Sequence, residues 1–192
     1  PVTAHDFEYS WKRTLTPETA AEYSYIMADI VGSSTKEIQE NGVDGVGVKA
    51  LDDYTLEVKL NRPVAYFAEL VSFQVFFPQN QAFVESCGDA YGSAADKQLY
   101  NGPFTLTSWK MEDQFTMEKN PNYWDAANVK LNKINTKVVK DTGAEVSLYE
   151  DGQIDRAILS SDYVDKYKDS KELKTREVAS IFMLQINGGN HK

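Results

Sequence analysis

Apolar residues recur along this chain at two periods, and the elements change where the period changes. Phe7, Trp11 and Leu15 repeat every four residues behind Thr3 and Asp6, which together read as a capping box. That pattern predicts a first helix from about Ala4 to Leu15 with an aromatic buried face. Thr16-Pro17 then opens a second helix, Thr16 as N-cap and Pro17 at the first helical position, with Tyr23, Met27 and Ile30 along one face. Gly32-Ser33-Ser34 stops it, and Ser34 to Asn41 reads as a short charged helix ending at Gly42. The period then falls to two. Val46, Val48 and Ala50 alternate inward, Asp52-Asp53-Tyr54 turns, and Leu56, Val58 and Leu60 alternate again, which predicts a hairpin. Asn61-Arg62-Pro63 opens a helix over Val64 to Val71, with Phe67, Leu70 and Val71 inward. Phe73 to Pro78 is apolar without a clear period and reads as a buried or lobe-crossing strand. Ala82 to Cys87 makes a short helix, and Gly88 to Gln98 is a polar loop.

From Asn101 to Leu131 the chain organises what surrounds it. After the turn at Asn101-Gly102-Pro103, Phe104, Leu106 and Ser108 alternate with Thr105, Thr107 and Trp109. Phe115 and Met117 then share one face of a second strand, with Thr116 and Glu118 on the other. Pro121 holds its neighbours extended, so that Tyr123 and Trp124 can plug opposite sides of a loop. Ile134 to Val139 reads as a strand. Thr142 with Glu145 opens a helix that carries Val146 and Tyr149 inward and stops at Gly152, and Ile154 to Ser160 reads as another strand. Strand, helix, strand with short connections implies a parallel right-handed crossover, whose ligands sit beyond the carboxyl ends of the strands. Leu159, Ser160 and Ser161 would then lie at a mouth. Ser161 serves equally as the N-cap of a helix over Asp162 to Lys168. The final strand, about Arg176 to Asn187, carries Val178, Ser180, Phe182 and Leu184 on one face.

Composition narrows the chemistry. With 192 residues, 42% hydrophobic and 12% aromatic, the chain can bury one good core or two small ones. A net charge of -9 with scattered Lys and Arg leaves no basic stripe for nucleic acid or an anionic membrane surface. One cysteine, Cys87, excludes an internal disulfide and a cysteine-based zinc site, and leaves the compartment open. The sequence has no run of 18 apolar residues and no signal peptide. His5 and His191 join no set of nucleophile, base and orienter, so no catalytic residue is assigned, and no metal or cofactor is expected. Gly42 to Gly47 precedes a strand instead of a helix and lacks a lysine, so it is no phosphate loop. Asp52 and Asp53 are turn residues pointing into water, not an acid–base pair.

Four blocks, in order, carry a family resemblance: VTAHDFEYSWKR from Val2 to Arg13, VKALDDYTLEVKL from Val48 to Leu60, the stretch from Asn101-Gly102-Pro103-Phe104 through EKNPNYW to Leu131, and Gly152-Gln153-Ile154-Asp155. The chain resembles the extracytoplasmic solute-binding proteins of peptide ABC importers, the oligopeptide- and dipeptide-binding family. The resemblance implies a mixed α/β chain, part of a periplasmic-binding-protein-like two-lobe fold of the type II, peptide-binding kind, with mixed sheets flanked by helices. Residues 1–77 would form a small accessory lobe and residues 78–192 part of the first large ligand-binding lobe, the last strand leading toward a second large lobe. It further implies a monomer that captures oligopeptides in an interlobe cleft and delivers them to ABC permease subunits. Main-chain recognition would tolerate many side chains, and hinge closure would hide the ligand from water. The expected location is extracytoplasmic, at the cell surface as a lipoprotein or in the periplasm, anchored by an N-terminal segment. The start at Pro1 and the end at Lys192 read as cuts within a longer protein. By position in the family pattern, Tyr23, Ser160 and Val178 would border the ligand; the family often has an aromatic where Val178 stands, and Tyr23 fits a core position equally. Relatives of this architecture that take nickel, haem or pheromone peptides, and a structural or adhesion module without transport, are the alternatives.

Overall fold

The computed structural model describes residues 1–178, 180, 181, 183 and 184. Expectations that fall on the other residues, among them Phe182, His191 and the end of the last strand, lie outside the described residues. The chain forms two compact units, Pro1–Lys137 and Val138–Lys192, and each is described by itself.

The first unit is built around helix α1, Ala4–Leu15, which runs where the four-residue period places it. Its start is fixed by the capping box of Thr3 and Asp6, the Thr3 N–H donating to Asp6 at 2.8 Å. Against it lies the hairpin of β1, Val48–Asp52, and β2, Thr55–Val58, paired antiparallel with Val48 opposite Val58. Val46, Val48 and Ala50 are buried as the alternation requires. Two bonds pin helix to hairpin: the Ala4 N–H donates to Asp53 O, and the Ala50 N–H donates to the Glu8 carboxylate at 2.7 Å. Helix α2, Thr35–Asn41, starts at Ser34 with a reciprocal Ser34–Glu37 cap and ends at Gly42. Gly32 lies at φ +74°, where a Cβ would collide with the Gly45 carbonyl, so only glycine lets the two loops cross.

Three expectations in this region need correction. No continuous second helix follows Thr16; Pro17–Thr19 and Ser24–Met27 are separate 3-10 turns, broken at Ala20, which sits at φ +48°. The Thr16 hydroxyl donates back to Lys12 O at 2.9 Å, closing α1 instead of capping a second helix. Met27 and Ile30 are fully buried all the same, and Ile30 bridges to Leu60. The helix expected over Val64 to Val71 is the single turn α3, Phe67–Leu70. Phe73 to Pro78 is not a strand but turns at Gln74–Phe76, because side chains of α1 take its carbonyls. The Trp11 indole N–H donates to Phe76 O at 2.8 Å and the Ser10 hydroxyl donates to Phe77 O at 2.6 Å. The turn also sets the Phe76 ring edge-on to Trp11 at 4.9 Å, at the centre of the core.

Helix α4, Gln81–Cys87, leads through polar turns to an antiparallel sheet of β3, Phe104–Lys110, β4, Gln114–Lys119, and β5, Lys133–Lys137, in the order β3-β4-β5. The register slips at Thr107: Leu106 pairs with Met117, but Ser108 pairs with Thr116 and Trp109 with Phe115. One extra residue moves every later side chain to the other face. Trp109 therefore joins the Leu106, Phe115 and Met117 face, a correction to strict alternation. At the foot of the hairpin Asn120 is 4% exposed, its amide donating to Gly102 O and its N–H to Pro103 O, both at 2.9 Å. Trp124 plugs nothing, being 85% exposed, whereas Tyr123 is half-buried.

The second unit holds helix α5, Thr142–Glu150, and helix α6, Ser161–Tyr167. The cap of α5 is Asp141, whose carboxylate accepts from the Ala144 N–H at 2.7 Å, one residue before the Thr142 inferred from the sequence. Ile154 to Ser160 is in no strand among the described residues and bends at Asp155, so the expected strand–helix–strand crossover is not formed there. An extended segment becomes a strand only when a neighbour takes its N–H and C=O groups; here the Ile158 N–H donates to the Glu145 carboxylate at 3.0 Å instead. Ser160, not Ser161, holds the N-cap position of α6. Residues 176–178 are likewise outside any strand.

Candidate ligand-binding surfaces

In the first unit the loop that replaces the second helix carries the aromatic group around Tyr23. With Ala20 left-handed, the chain turns so that Met27 enters the core while Tyr23 stays half-buried above it. The Tyr23 ring meets Phe73 edge-on at 5.4 Å and lies 6.2 Å from Tyr25. Tyr25 is 69% exposed, so the three rings form an open shelf. Polar bonds hold the loop in place. The Asn61 amide donates to Ala28 O and Ile30 O, Arg62 Nε donates to Asp29 at 2.8 Å, and the Tyr66 hydroxyl donates to Asp29 at 3.4 Å. Exposed flat aromatic faces can take an apolar side chain, and an exposed ion pair can orient a charged or peptide group.

The structure sets Tyr23, expected at the ligand from the family pattern, in this shelf; Asp29, Arg62 and Tyr66 carry no such signal in the sequence. In the sequence Arg62 reads only as part of a helix entry, and no short-range pattern joins it to Asp29. A second group, Glu8 with Lys12, lies where α1 meets β1, the Glu8 carboxylate accepting from the Ala50 N–H. The Lys12 ammonium donates to Glu8 at 2.8 Å. Burial pushes the Glu8 carboxyl up, but Lys12 and the Ala50 N–H outweigh it, so the group sits below the ordinary glutamate value.

The second unit has its own concavity, about 740 Å³, between α5, residues 155–159, α6 and residues 170–176. Val146, Ile158, Leu159, Val164 and Leu173 give it an apolar wall, and Tyr149 and Tyr167 bring hydroxyls to its rim. The Tyr149 hydroxyl donates to Glu172 at 2.7 Å, which raises its pKa. Lys166 and Tyr167 both donate to the Glu150 carboxylate and hold its pKa low. Ser160 stands next to Leu159 at the α6 N-cap with its hydroxyl not engaged in capping, and does not itself line the concavity. Val178 is exposed. Tyr23 belongs to the first unit, and Ser160 and Val178 to the second.

No group of three or more metal-ligating side chains occurs among the described residues. His5 lies 3.6 Å from the exposed Asp53, in surface contact. Asp52 accepts from the Tyr54 N–H at 2.8 Å, which lowers its pKa and fits its place in a turn. Among the described residues no helix is long and apolar enough to cross a membrane.

Sheets flanked by helices, with an open aromatic shelf in the first unit and an apolar concavity in the second, define a mixed α/β protein. The chain belongs to the family of bacterial extracellular solute-binding proteins, family 5 (middle), which it matches over residues 1–191. It is 34% identical to the oligopeptide-binding protein OppA of Bacillus subtilis (strain 168) over 192 residues, covering 97% of this chain and 35% of that protein. Among solved structures, Listeria monocytogenes OppA bound to peptide is 43% identical with a TM-score of 0.83, over 89% of this chain and 34% of that one. The substrate-binding domain of an oligopeptide ABC transporter from Bacillus anthracis str. Ames is 47% identical, also with a TM-score of 0.83, over 88% of this chain and 33% of that one. The fold is thus that of the peptide-binding proteins of the periplasmic-binding-protein type II class. The chain spans about a third of the length of the relatives it matches.

Proposed function

We propose that this chain is part of the substrate-binding component of an ABC importer, a binding protein and not an enzyme, which captures oligopeptides in an interlobe cleft and delivers them to the membrane permease. The observation that carries this reading is the 43% identity, along 89% of the chain, to a receptor described as bound to peptide. In this reading residues 1–77 belong to a small accessory lobe and residues 78–192 to part of the first large lobe. Tyr23, Ser160 and Val178 border the ligand. The aromatic shelf of Tyr23, Tyr25 and Phe73 contributes apolar contact, and most of the affinity comes from main-chain hydrogen bonds, which accept varied sequences. The complete receptor works as a monomer outside the cytoplasm, anchored as a lipoprotein or free in the periplasm.

Native mass spectrometry of the full-length protein as purified tests this. A heterogeneous set of adducts that fragment into short peptides is expected. An adduct-free mass that survives incubation with a peptide mixture would overturn it. Titration of residues 1–192 alone with short peptides should show weak binding or none, because one wall of a cleft forgoes most of the contacts; micromolar affinity would contradict the two-lobe reading.

A further inference from the structure

Two Asn-Gly pairs lie among the described residues, Asn41-Gly42 and Asn101-Gly102, and their surroundings differ. An asparagine amide is open to attack by the backbone nitrogen of the next residue when three conditions hold. That nitrogen must be free of a hydrogen bond, the next residue must offer no Cβ in the way, and the backbone must be able to rotate. At the first pair these conditions fail. Asn41 is the last residue of α2, and the Gly42 N–H donates to Ile38 O at 2.9 Å, so the nucleophile is engaged and the asparagine is held helical.

At the second pair they hold. Asn101 is exposed and outside any element, the Gly102 N–H makes no hydrogen bond among the described residues, and nothing lies within 4 Å of where a Gly102 Cβ would stand. The buried Asn120 grips the chain only from the Gly102 carbonyl onward, through bonds to Gly102 O and Pro103 O. The Asn101 side of the peptide is left free to turn.

We propose that Asn101 is a site of spontaneous deamidation and isomerisation in the folded protein. The Gly102 nitrogen attacks Asn101 Cγ, the new N–Cγ bond forms, and the bond from Cγ to the amide nitrogen breaks. Ammonia leaves with the proton from the Gly102 nitrogen, and a succinimide remains. Water then opens the ring at one of its two carbonyls, giving aspartate or, with the backbone rerouted through Cγ, isoaspartate. Either product adds a negative charge. Isoaspartate also inserts a methylene immediately before the turn that Asn120 clamps, so it loosens the entry to β3.

The test is to age the full-length protein in native buffer at mildly alkaline pH and follow the Asn101 and Asn41 peptides by mass spectrometry, with isoaspartyl methyltransferase labelling to identify the isomer. The Asn101 peptide should convert several-fold faster than the Asn41 peptide in the folded protein, and the two should converge once the protein is unfolded in denaturant. Gly102→Ala, whose methyl meets open space, should slow conversion at Asn101 while leaving the fold intact. Equal native rates at the two sites, or an Asn101 amide that persists in the native protein while the denatured protein converts, would overturn the proposal.

Discussion

The two compact units bury their side chains in different ways. In the first, Trp11, Leu15, Met27, Ile30, Val48 and Phe76 meet in one cluster drawn from α1, the hairpin and the turns between them. In the second, Val146 is the buried hydrophobic residue among those described, and much of the order comes from hydrogen bonds at the surface: Asp141 to Ala144, Glu145 to Ile158, Glu150 to Lys166 and Tyr167. Apolar burial is worth about 25 cal/mol per Å² whatever the pairing, whereas exposed ion pairs contribute about 0–1 kcal/mol each. The first unit is therefore held by packing, and the second by contacts that water can replace.

The sharpest way to break that contrast is to remove one buried side chain from each unit. Trp11→Ala deletes a side chain that is 3% exposed, its hydrogen bond to Phe76 O and its edge-on ring contact. A loss of about 3–5 kcal/mol is expected, read by denaturant unfolding of the chain. Val146→Ala removes two methyl groups from a site that is also 3% exposed, and a loss of about 1–2 kcal/mol is expected because much less apolar surface is removed. Hydrogen exchange should then show Trp11→Ala speeding amides of α1 and β1 far more than those of α5. Equal costs for the two substitutions would mean that the second unit has a core as closed as the first.

The same contrast explains which parts of the fold could be read from the sequence. Helix α1, helix α2 and the β1–β2 hairpin follow from periodicity and caps, because their buried faces are regular and their partners are near in the chain. Residues 16–30 kept their buried positions, Met27 and Ile30, but not their helix: Ala20 turns left-handed and the apolar spacing is met by two short turns. Strict alternation puts Trp109 on the wrong face because a bulge leaves no mark in a pattern of alternating Thr and apolar residues. Ile154 to Ser160 has a strand's composition, yet composition cannot supply a neighbouring strand. Of the candidate site, Tyr23 came from family resemblance. The Asp29–Arg62 pair spans 33 residues of sequence and became visible only in three dimensions.

An intermediate effect is expected at Glu8, where the first unit also relies on charge. Its carboxylate joins Lys12 on the same helix to the Ala50 N–H of β1, and the two side chains are only 21% and 24% exposed for Lys12 and Glu8 respectively. Glu8→Gln keeps the shape but weakens two charge-assisted bonds, and a loss of about 1–2 kcal/mol at neutral pH is expected in denaturant unfolding. Because the folded-state pKa lies below the ordinary value, this contribution is complete above the ordinary glutamate pKa and disappears as pH falls through the lowered one. Wild type and Glu8→Gln should therefore converge in stability in acid. A gap that stays constant down to strongly acid pH would show that the carboxylate charge is not what joins helix to strand.

The smallest effect is expected at Glu150, and its size is what makes it informative. Hydrogen bonds from Lys166, then Tyr167, lower its pKa, so the sign is the same as for Glu8: the contribution exists above the ordinary glutamate range and is lost as pH falls through the lowered value. The group is open to solvent, however, so water and salt take over much of what Lys166 and Tyr167 provide. Glu150→Gln should leave neutral-pH unfolding almost unchanged, and raising the salt concentration should shrink whatever difference remains. At Glu8, partly shielded by α1 and β1, salt should matter less. If Glu150→Gln instead destabilised the chain as much as Glu8→Gln, and did so independently of salt, the α5–α6 contact would have to be shielded from water. The distinction between a packed unit and a water-replaceable one would then fail at the point where it is most easily measured.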